Sequence, residues 1–564
     1  MESSRTSIAQ AEKTFTGISQ IGTLSPFPTE IILLILTGLT YKDLLNCTKV
    51  CKFLHDIVNR SLQLRYAAEL YAEGFEDVAG MHSDLSVRDR LNLLTRRARA
   101  WRTLSWQKRA TITLPSSDSL QIANGVLLCK TVEFVPPGPQ RRLSLHQLSL
   151  VTMSDQLFKD DLEEELVGVY QSFDVSQDLL VLGNVYHRWD DADDDDDDVD
   201  LIVSRHRLRL STLSSNGSSP HPDASHEALL LSFDAPSLET EFSVRIAGPL
   251  LGAVLEHAAR GPCIVIWNWK TGVMLLNMDS ILNSTPLYDF CFLSHHRIVL
   301  ICCALSDLFL EVWSLDPDLS SLNHSRSLLR LSLPDLGSDT YTSFSMSHGP
   351  FQPDATQDIP FVKCSDGRVY TIVAQRSDEW SAPALCIVVH HDAISSLLQS
   401  TDSTGFNTTM IPWDEWGPRN TRIFLRDMPP RGNTTNGWVC NERLVGTFSA
   451  PSGVGGEDYF SMHSQILDFN VRPYLRRSAT TSGTASVHGR GQLIMEPTTI
   501  ALSVDYGSRI VEVTTSLPYY SIPIKIQDIE QNVGFLMDEQ HLLGLKAGRG
   551  ESRRPRGFDV LTFE

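Results

Sequence analysis

Cys263-Ile264-Val265-Ile266-Trp267-Asn268-Trp269-Lys270-Thr271-Gly272, followed by Phe309-Leu310-Glu311-Val312-Trp313-Ser314-Leu315-Asp316, is the pair of segments on which the fold of this chain turns. Each is an apolar or alternating run closed by a tryptophan and then a polar residue, and each follows another apolar run, at 250–255 and 298–301. Runs of this length with turn residues between them read as strands. Trp267 and Trp313 lie 46 residues apart (313 − 267). One four-stranded propeller blade takes about 40–45 residues, so the spacing suits one blade per copy.

Outward from this repeat the same texture continues. Short strand-like runs recur at 110–114, 126–134, 179–182 and 228–233, separated by Gly, Pro, Ser and Asn, with only a short helical piece expected near Ala393. So many short strands imply a sandwich, a barrel or a propeller. The repeat selects an antiparallel β-propeller over residues 106–564, with seven or eight blades at about 45–60 residues each. The final run, Phe558-Asp559-Val560-Leu561-Thr562-Phe563, alternates in character, and a candidate partner lies at 110–114. Their pairing would close the ring. The first copy resembles the end of a WD-type repeat. Asn268 and Ser314 stand where that family places Asp, so the copies are degenerate.

The first hundred residues are different. Residues 1–22 are polar and Ser/Thr-rich and read as a loose arm. Residues 62–105 read as a helical linker with helices at 62–71 and 86–104. In the second, Val87, Leu91, Leu94, Ala98 and Trp101 fall at helical spacing, Ser86 and Asp89 form a capping box, and Arg88, Arg90, Arg96, Arg97, Arg99 and Arg102 read as a solvated face. Residues 23–61 hold the most informative segment. Pro28 suits a helix start before the apolar run 31–36. A short second helix is expected to end near Leu45. A third, capped by Asn46, carries Cys47, Val50, Cys51, Leu54, Ile57 and Val58 on one face. The first helix is apolar all round, so it requires burial from two sides, and a unit of this size needs a second surface to cover it.

Phe27-Pro28-Thr29-Glu30-Ile31-Ile32, then Ile35-Leu36, Leu39, Asp43-Leu44-Leu45 and Val50-Cys51-Lys52 resemble the F-box family in type, order and spacing. The family's frequent Trp after the Val-Cys pair is replaced by Phe53-Leu54-His55. The resemblance implies a three-helix module that binds a Skp-family adaptor, with Phe27, Pro28, Ile31, Ile32, Ile35, Leu44, Leu45, Val50 and Cys51 as the adaptor-binding residues. Further phrases, such as Pro412-Trp413-Asp414-Glu415-Trp416-Gly417-Pro418-Arg419, resemble the C-terminal part of F-box proteins abundant in mushroom-forming fungi.

Composition narrows the function. The net charge is −20, and nine acidic residues fall within 190–200. Such a surface repels phosphate backbones, so no nucleic-acid partner is expected. The 190–200 run reads as a solvated insertion rather than a calcium loop, since it lacks the glycine and spacing of one. The N-terminus lacks a basic start followed by an apolar core, and no apolar run is long enough to cross a bilayer, so no secretory signal and no membrane partner are expected. The ten cysteines contain no Cys-x-x-Cys pair, and Cys302-Cys303 reads as buried thiols in a reducing compartment. His295-His296 and His390-His391-Asp392 are not read as a metal site, because neighbours on a strand point to opposite faces. No hydrolase, metalloprotease or phosphate-loop motif is present, so neither catalytic residue nor cofactor is expected. Trp413, Trp416, Arg419 and Arg422 are weak candidates for substrate binding, with a packed corner the favoured reading.

The expectation is therefore a non-catalytic substrate receptor of an SCF-type ubiquitin ligase in the cytoplasm or nucleus. The F-box would bind the Skp-family adaptor and through it a cullin, and the propeller would bind an unidentified protein substrate. The alternative is a propeller scaffold that meets the adaptor outside a ligase.

Overall fold

The computed structural model describes residues 27–39, 41–78, 85–113, 119–135, 138–147, 152–157, 165–189, 202–235, 242–255, 262–278, 286–304, 307–315, 326–337, 341–351, 360–376, 383–401, 408–427, 434–449, 462–480, 491–504, 509–525, 532–547 and 555–563. The 1–22 arm and the 190–200 acidic run lie outside them.

Helices come first. α1 (Thr29–Thr37), α2 (Tyr41–Val50) and α3 (Lys52–Arg60) share a core of Ile32, Leu36, Leu44, Leu54, Ile57 and Val58, joined by Leu64 from the next helix. The helix boundary differs from the sequence reading. Asn46 does not cap a new helix but lies exposed inside α2, where its weak propensity is overridden by packing. The break falls instead at Cys51, whose backbone is extended (φ −157°, ψ 159°). α4 (Leu62–Glu73), β1 (Phe75–Asp77) and α5 (Val87–Thr103) form the linker. Ser86 caps α5 as expected, accepting the Asp89 N–H at 3.3 Å and donating its hydroxyl to the Asp89 carboxylate at 2.5 Å.

After β2 (Lys108–Thr113) the described strands group into seven antiparallel units, each of four strands except the sixth, which has five; the fifth and sixth are joined into one sheet by the Arg426–Phe448 pair. Unit one is β3 (Ser119–Ala123), β4 (Val126–Val135), β5 (Gly138–Gln147) and β6 (Thr152–Leu157). Unit two is β7 (Glu165–Asp174), β8 (Leu179–Trp189), β9 (Ile202–Thr212) and β10 (Ala228–Ala235). Unit three is β11 (Phe242–Ala247), β12 (Leu250–Leu255), β13 (Cys263–Asn268) and β14 (Val273–Asn277). Unit four is β15 (Leu287–Ser294), β16 (Arg297–Ala304), β17 (Asp307–Ser314) and β18 (Arg326–Ser332). Unit five joins β19 (Tyr341–Ser347), β21 (Val369–Arg376), β22 (Ala384–His390) and β24 (Thr421–Arg426). Between these strands run β20 (Phe361–Lys363), α6 (His391–Thr401), β23 (Thr409–Ile411), which pairs with β18, and α7 (Trp413–Asn420). β25 (Thr434–Asn436) returns to pair in parallel with β3. Unit six contains β26 (Val439–Cys440) against β27 (Arg443–Ser449), then β28 (Met462–Asp468), β29 (Gln492–Ile494) and β32 (Tyr519–Pro523). α8 (Arg472–Thr480) and the hairpin β30 (Thr498–Val504) and β31 (Arg509–Thr515) are inserted. Unit seven is β33 (Asn532–Met537), β34 (His541–Ala547), β35 (Pro555–Thr562) and, from the other end of the chain, β2.

The expected closing pair is therefore present: Ala110 faces Val560 and Ile112 faces Phe558. The repeat is also placed consistently. Trp267 and Trp313 each end the third strand of their unit, and the pairing to the fourth strand shifts at both, between Ile266 and Trp267 and between Val312 and Trp313. Lys270-Thr271-Gly272 makes the turn into β14. There Asn268 Oδ1 accepts the Lys270 N–H at 3.1 Å and Gly272 adopts φ +74°.

The core is divided among the seams between units. One cluster joins units one and two, another two and three, another three and four, another four and five. A fifth binds units five, six and seven to α5, and a sixth joins seven to one. That cyclic succession makes the domain a closed propeller. Units three and four approach so closely that a Cβ on Gly252 would enter the Phe290 ring.

Candidate functional site

Three features stand out: the outer face of the helical module, its junction with the ring, and a cavity on the ring axis.

α1 carries two apolar stripes. Ile32 and Leu36, one turn apart, face the module's own core. Phe27, Ile31, Leu34 and Ile35 face outward, with Leu34 70% exposed. Val50, the last residue of α2, is 72% exposed, and Leu39 and Phe53 are also exposed. The two-sided reading of α1 thus has a structural counterpart, and no described part of the chain covers the second side. The candidates divide accordingly. Phe27, Pro28, Ile31, Ile35, Val50 and Cys51 are exposed. Ile32 and Leu44 are each 3% exposed, so as contact residues they need correcting: they support the face from behind. The backbone of Leu45 is in α2, and its side chain lies outside what is described. Leu34 was missed, although its place three residues after Ile31 marks it as part of the same stripe.

The junction ties this module to the ring. α4 ends at Gly74 in the left-handed region (φ +69°), whose N–H returns to the Leu70 and Tyr71 carbonyls, and the carbonyls after Tyr71 need partners from outside the helix. The ring supplies them. Arg472 Nη1 donates to the Tyr71 carbonyl at 3.4 Å, Asn470 Nδ2 to Ala72 at 2.9 Å, Lys363 Nζ to Glu73 at 2.7 Å, and the Cys364 N–H to Gly74 at 2.9 Å. Two cations thus meet the negative end of the helix dipole. Behind them Glu442, 1% exposed, receives His390 Nε2 at 3.2 Å and lies 3.8 Å from Lys363 Nζ and 3.7 Å from Arg472 Nη2. Burial alone would raise this carboxyl. The hydrogen bond from His390 and the charges of Lys363, His390 and Arg472 outweigh it and hold the pKa at about 2. β1 adds a strand pair with β20, placing Phe75 opposite Lys363.

α5 is the second strut. Trp101 stacks on Phe563 with ring centroids 4.2 Å apart and donates its indole N–H to the Glu539 carbonyl at 3.1 Å. Arg97 donates to the same carbonyl and to the Glu539 carboxylate, both at 2.9 Å, and Arg102 pairs with Glu73. Reading all six arginines as a solvated face is therefore corrected. Arg88, Arg96 and Arg99 are exposed, but Arg97 and Arg102 are buried: the ring supplies Arg97 with the Glu539 carboxylate and carbonyl, while Arg102 has Glu73 of α4 as its partner and lies 5.2 Å from the Tyr474 ring centre.

The Trp-Arg cluster is structural. Trp416 is buried and donates its indole N–H to the Ser332 carbonyl at 2.8 Å, and Trp413 packs edge-on against it. Arg422 is fully buried, donating to the Thr515 and Glu496 carbonyls at 2.9 Å each and lying 5.0 Å from the Tyr519 ring centre. Trp416 and Arg422 are thus withdrawn as substrate contacts, which leaves exposed Arg419 and half-buried Trp413. Among the described residues no group of His, Cys, Asp and Glu is arranged to hold a metal ion, and no helix is long and apolar enough to cross a membrane.

The cavity, about 150 Å³, lies where the innermost strands end, between units one, two, three, five and six. Gln121, Ser172, Ser243, Arg245, His348 and Trp438 are among its lining residues. It is at the same end of the ring as the junction: the turn carrying Asp538 and Glu539 accepts the Gly125 N–H at 2.6 Å, through Asp538.

These features define a closed propeller with an apolar-faced helical module docked on one end. Residues 27–66 match the F-box-like family, so an F-box-like domain occupies the N-terminal part of the chain. No curated protein sequence matches the chain. Among solved structures, the WD40 domain of SCAP from fission yeast is 6% identical, over 81% of this chain and 95% of that one, at a TM-score of 0.29. Sqt1 from Chaetomium thermophilum is 10% identical over 73% and 96%, at 0.30. The β-propeller domain of the Trilobed protease from Pyrococcus furiosus is 8% identical over 74% and 99%, at 0.27. The ring itself is established by its strand pairing and seams.

Proposed function

We propose that this chain is the non-catalytic substrate-receptor subunit of an SCF-type ubiquitin ligase acting in the cytoplasm or nucleus. The observation that carries the reading is the outward stripe of Phe27, Ile31, Leu34 and Ile35 on an F-box-like domain whose opposite stripe is already buried. An apolar face of that kind on so small a module calls for a protein partner. F-box domains generally bind Skp-family adaptors, which link them to a cullin. The ring would hold the protein substrate, raising the effective concentration of its lysines near the ubiquitin-loaded enzyme. The docked helices α4 and α5 would keep the two binding surfaces in one orientation.

The test is binding of a purified Skp-family adaptor to the full chain. Ile35→Asp puts a charge into a desolvated contact and should weaken binding by several kcal/mol while leaving the melting temperature nearly unchanged. Ile32→Asp should unfold the module instead, because that side chain is 3% exposed. Undiminished adaptor binding by folded Ile35→Asp would refute the reading. If adaptor co-purifies from cells without a cullin, the scaffold alternative replaces the ligase.

A further inference from the structure

Unit two ends in an open strand edge. Its strands run in the order β7, β8, β9, β10, and no described strand pairs with the far side of β10. The β10 sequence, Ala228-Leu229-Leu230-Leu231-Ser232-Phe233-Asp234-Ala235, holds no Lys, Arg or Pro, the residues that commonly blunt a free edge. Other outer edges are blunted: β23 covers β18, β24 meets β27, and β2 opens with exposed Lys108 and Arg109. The register fixes what the open edge offers. The Leu210 N–H donates to the Glu227 carbonyl at 2.9 Å, so Glu227 turns its backbone toward β9. Backbone direction alternates along a strand, so Leu229 and Leu231 also turn inward, while Ala228, Leu230, Ser232 and Asp234 turn their N–H and C=O groups outward. Leu230 itself is 70% exposed.

The next strand restricts what pairs there. Leu208, Leu210 and Leu229 pack in the seam with unit three. Arg207 and Arg209 alternate with the β9 leucines and so lie on the opposite face, Arg207 beside Leu230 and Arg209 beside Ala228. Both arginines are half-buried, and neither has a hydrogen-bond or ion-pair partner among the described residues. Half-buried cations without a counter-charge carry a desolvation cost that an acidic neighbour offsets. A strand added to β10 would lie about 10 Å from β9, two strand spacings, a gap that an arginine and a glutamate extended toward each other span. A lysine-rich segment would be repelled. A second copy of this chain, paired edge to edge about a two-fold axis, would bring its own two arginines to the same face. Carboxylates at alternate positions of an extended segment meet both requirements, the backbone pairing and the charge.

We propose that β10 accepts an extended segment of a partner protein as a fifth strand of unit two, with acidic residues at alternate positions directed to Arg207 and Arg209. This rests on reading the ring as a protein-binding module, but not on the adaptor interaction, which is measured separately through Ile35→Asp.

The test uses the full chain and four capped heptapeptides of alternating residues: Glu/Val, Gln/Val, Lys/Val, and Glu/Val with its glutamates N-methylated. Binding is read by calorimetry, and strand addition by amide exchange across β10. The Glu/Val peptide should bind saturably and slow exchange at Ala228, Leu230 and Ser232. The Gln/Val and Lys/Val peptides should bind at least tenfold more weakly, and the N-methylated peptide should give no protection. Arg207→Gln with Arg209→Gln should weaken the Glu/Val peptide about tenfold, as two partly exposed ion pairs predict. Leu230→Pro removes an outward N–H without breaking a bond to β9 and should abolish the protection, so a folding failure in one variant leaves the other as the test. No saturable binding of the Glu/Val peptide, equal binding of the Glu/Val, Gln/Val and Lys/Val peptides, or binding without protection of β10 would each overturn the proposal. So would dimerisation that Leu230→Pro disperses, which assigns the edge to a second copy, or peptide binding seen only after 190–200 is replaced by a Gly-Ser loop, which assigns the arginines to the chain's own acidic run. Adaptor binding that persists under any of these outcomes leaves the receptor reading standing.

Discussion

Trp101 decides whether the helical module is fastened to the ring or merely tethered to it. The side chain is 2% exposed, stacks on Phe563, and lies under the Arg443 guanidinium at 5.1 Å from its ring centre. Trp101→Ala removes a buried aromatic, a loss of about 3–5 kcal/mol by the usual transfer and cavity terms. Two features keep the figure from rising further. The Glu539 carbonyl retains Arg97 as a donor, so it is not orphaned, and Arg443 keeps its ion pair with Asp468 at 3.1 Å. A loss of about 4 kcal/mol is expected. It should be local, because the ring's remaining seams do not depend on α5. Amide hydrogen exchange is the appropriate assay: α5 should lose protection by roughly that free energy while β8, β12 and β16 keep theirs. Val87→Ala, on the exposed side of the same helix, should change protection by no more than about 0.5 kcal/mol. A change below about 1 kcal/mol at α5 in Trp101→Ala would refute the docking of the linker through this residue.

Three further outcomes are expected. Deleting residues 558–563 removes buried Phe558, Val560, Leu561 and Phe563 and leaves β2 and β34 without their shared partner, so the truncated chain should aggregate; a truncation that melts like the parent would rule out closure by this strand. Glu442 has a folded pKa of about 2 against an ordinary 4.5, so its stabilisation is complete above about pH 5 and is lost as the pH falls toward 2. The melting temperatures of the parent and of Glu442→Gln should therefore converge over that interval, and a gap constant with pH would show that the carboxyl is not depressed. Trp189 and Ile202 face each other at the paired ends of β8 and β9, so replacing 190–200 by a short Gly-Ser loop should leave the melting temperature nearly unchanged, with or without calcium.

What was legible followed from local periodicity. The tryptophan repeat works because both residues occupy the same station, the end of a third strand, where the turn to the fourth imposes the same chemistry twice. The closing strand was visible because its alternation and its terminal position point to the same partner. Weaker units escaped for a physical reason. In unit six, β28 and β32 are neighbours in space but are separated in sequence by α8, β29 and the β30–β31 hairpin, so no fixed period survives. The helix boundary at Cys51 was missed because Asn46 looks like a cap, whereas the packing of Leu44, Leu54 and Ile57 extends α2 past it.

The site was half legible for a different reason. An all-apolar helix announces that two surfaces must be covered but does not say which residue serves which. Ile31 and Ile32 are the same residue type in adjacent places, and only the roughly 100° rotation between them sends one outward and the other into the core. The junction was not legible at all. Glu73, Arg97 and Arg102 look like ordinary surface charges beside helix turns, and their exposure is decided by Lys363, Tyr474 and Glu539, hundreds of positions later. They lie on β20, on α8 and in the turn after β33, within units five, six and seven. Closing the ring therefore creates the junction: the donors for the α4 carbonyls and the acceptor for Trp101 converge only when units five, six and seven are assembled together. The helical module thus acquires a fixed direction from the completed propeller, and a chain whose ring is incompletely closed would hold its F-box-like domain on a loose tether.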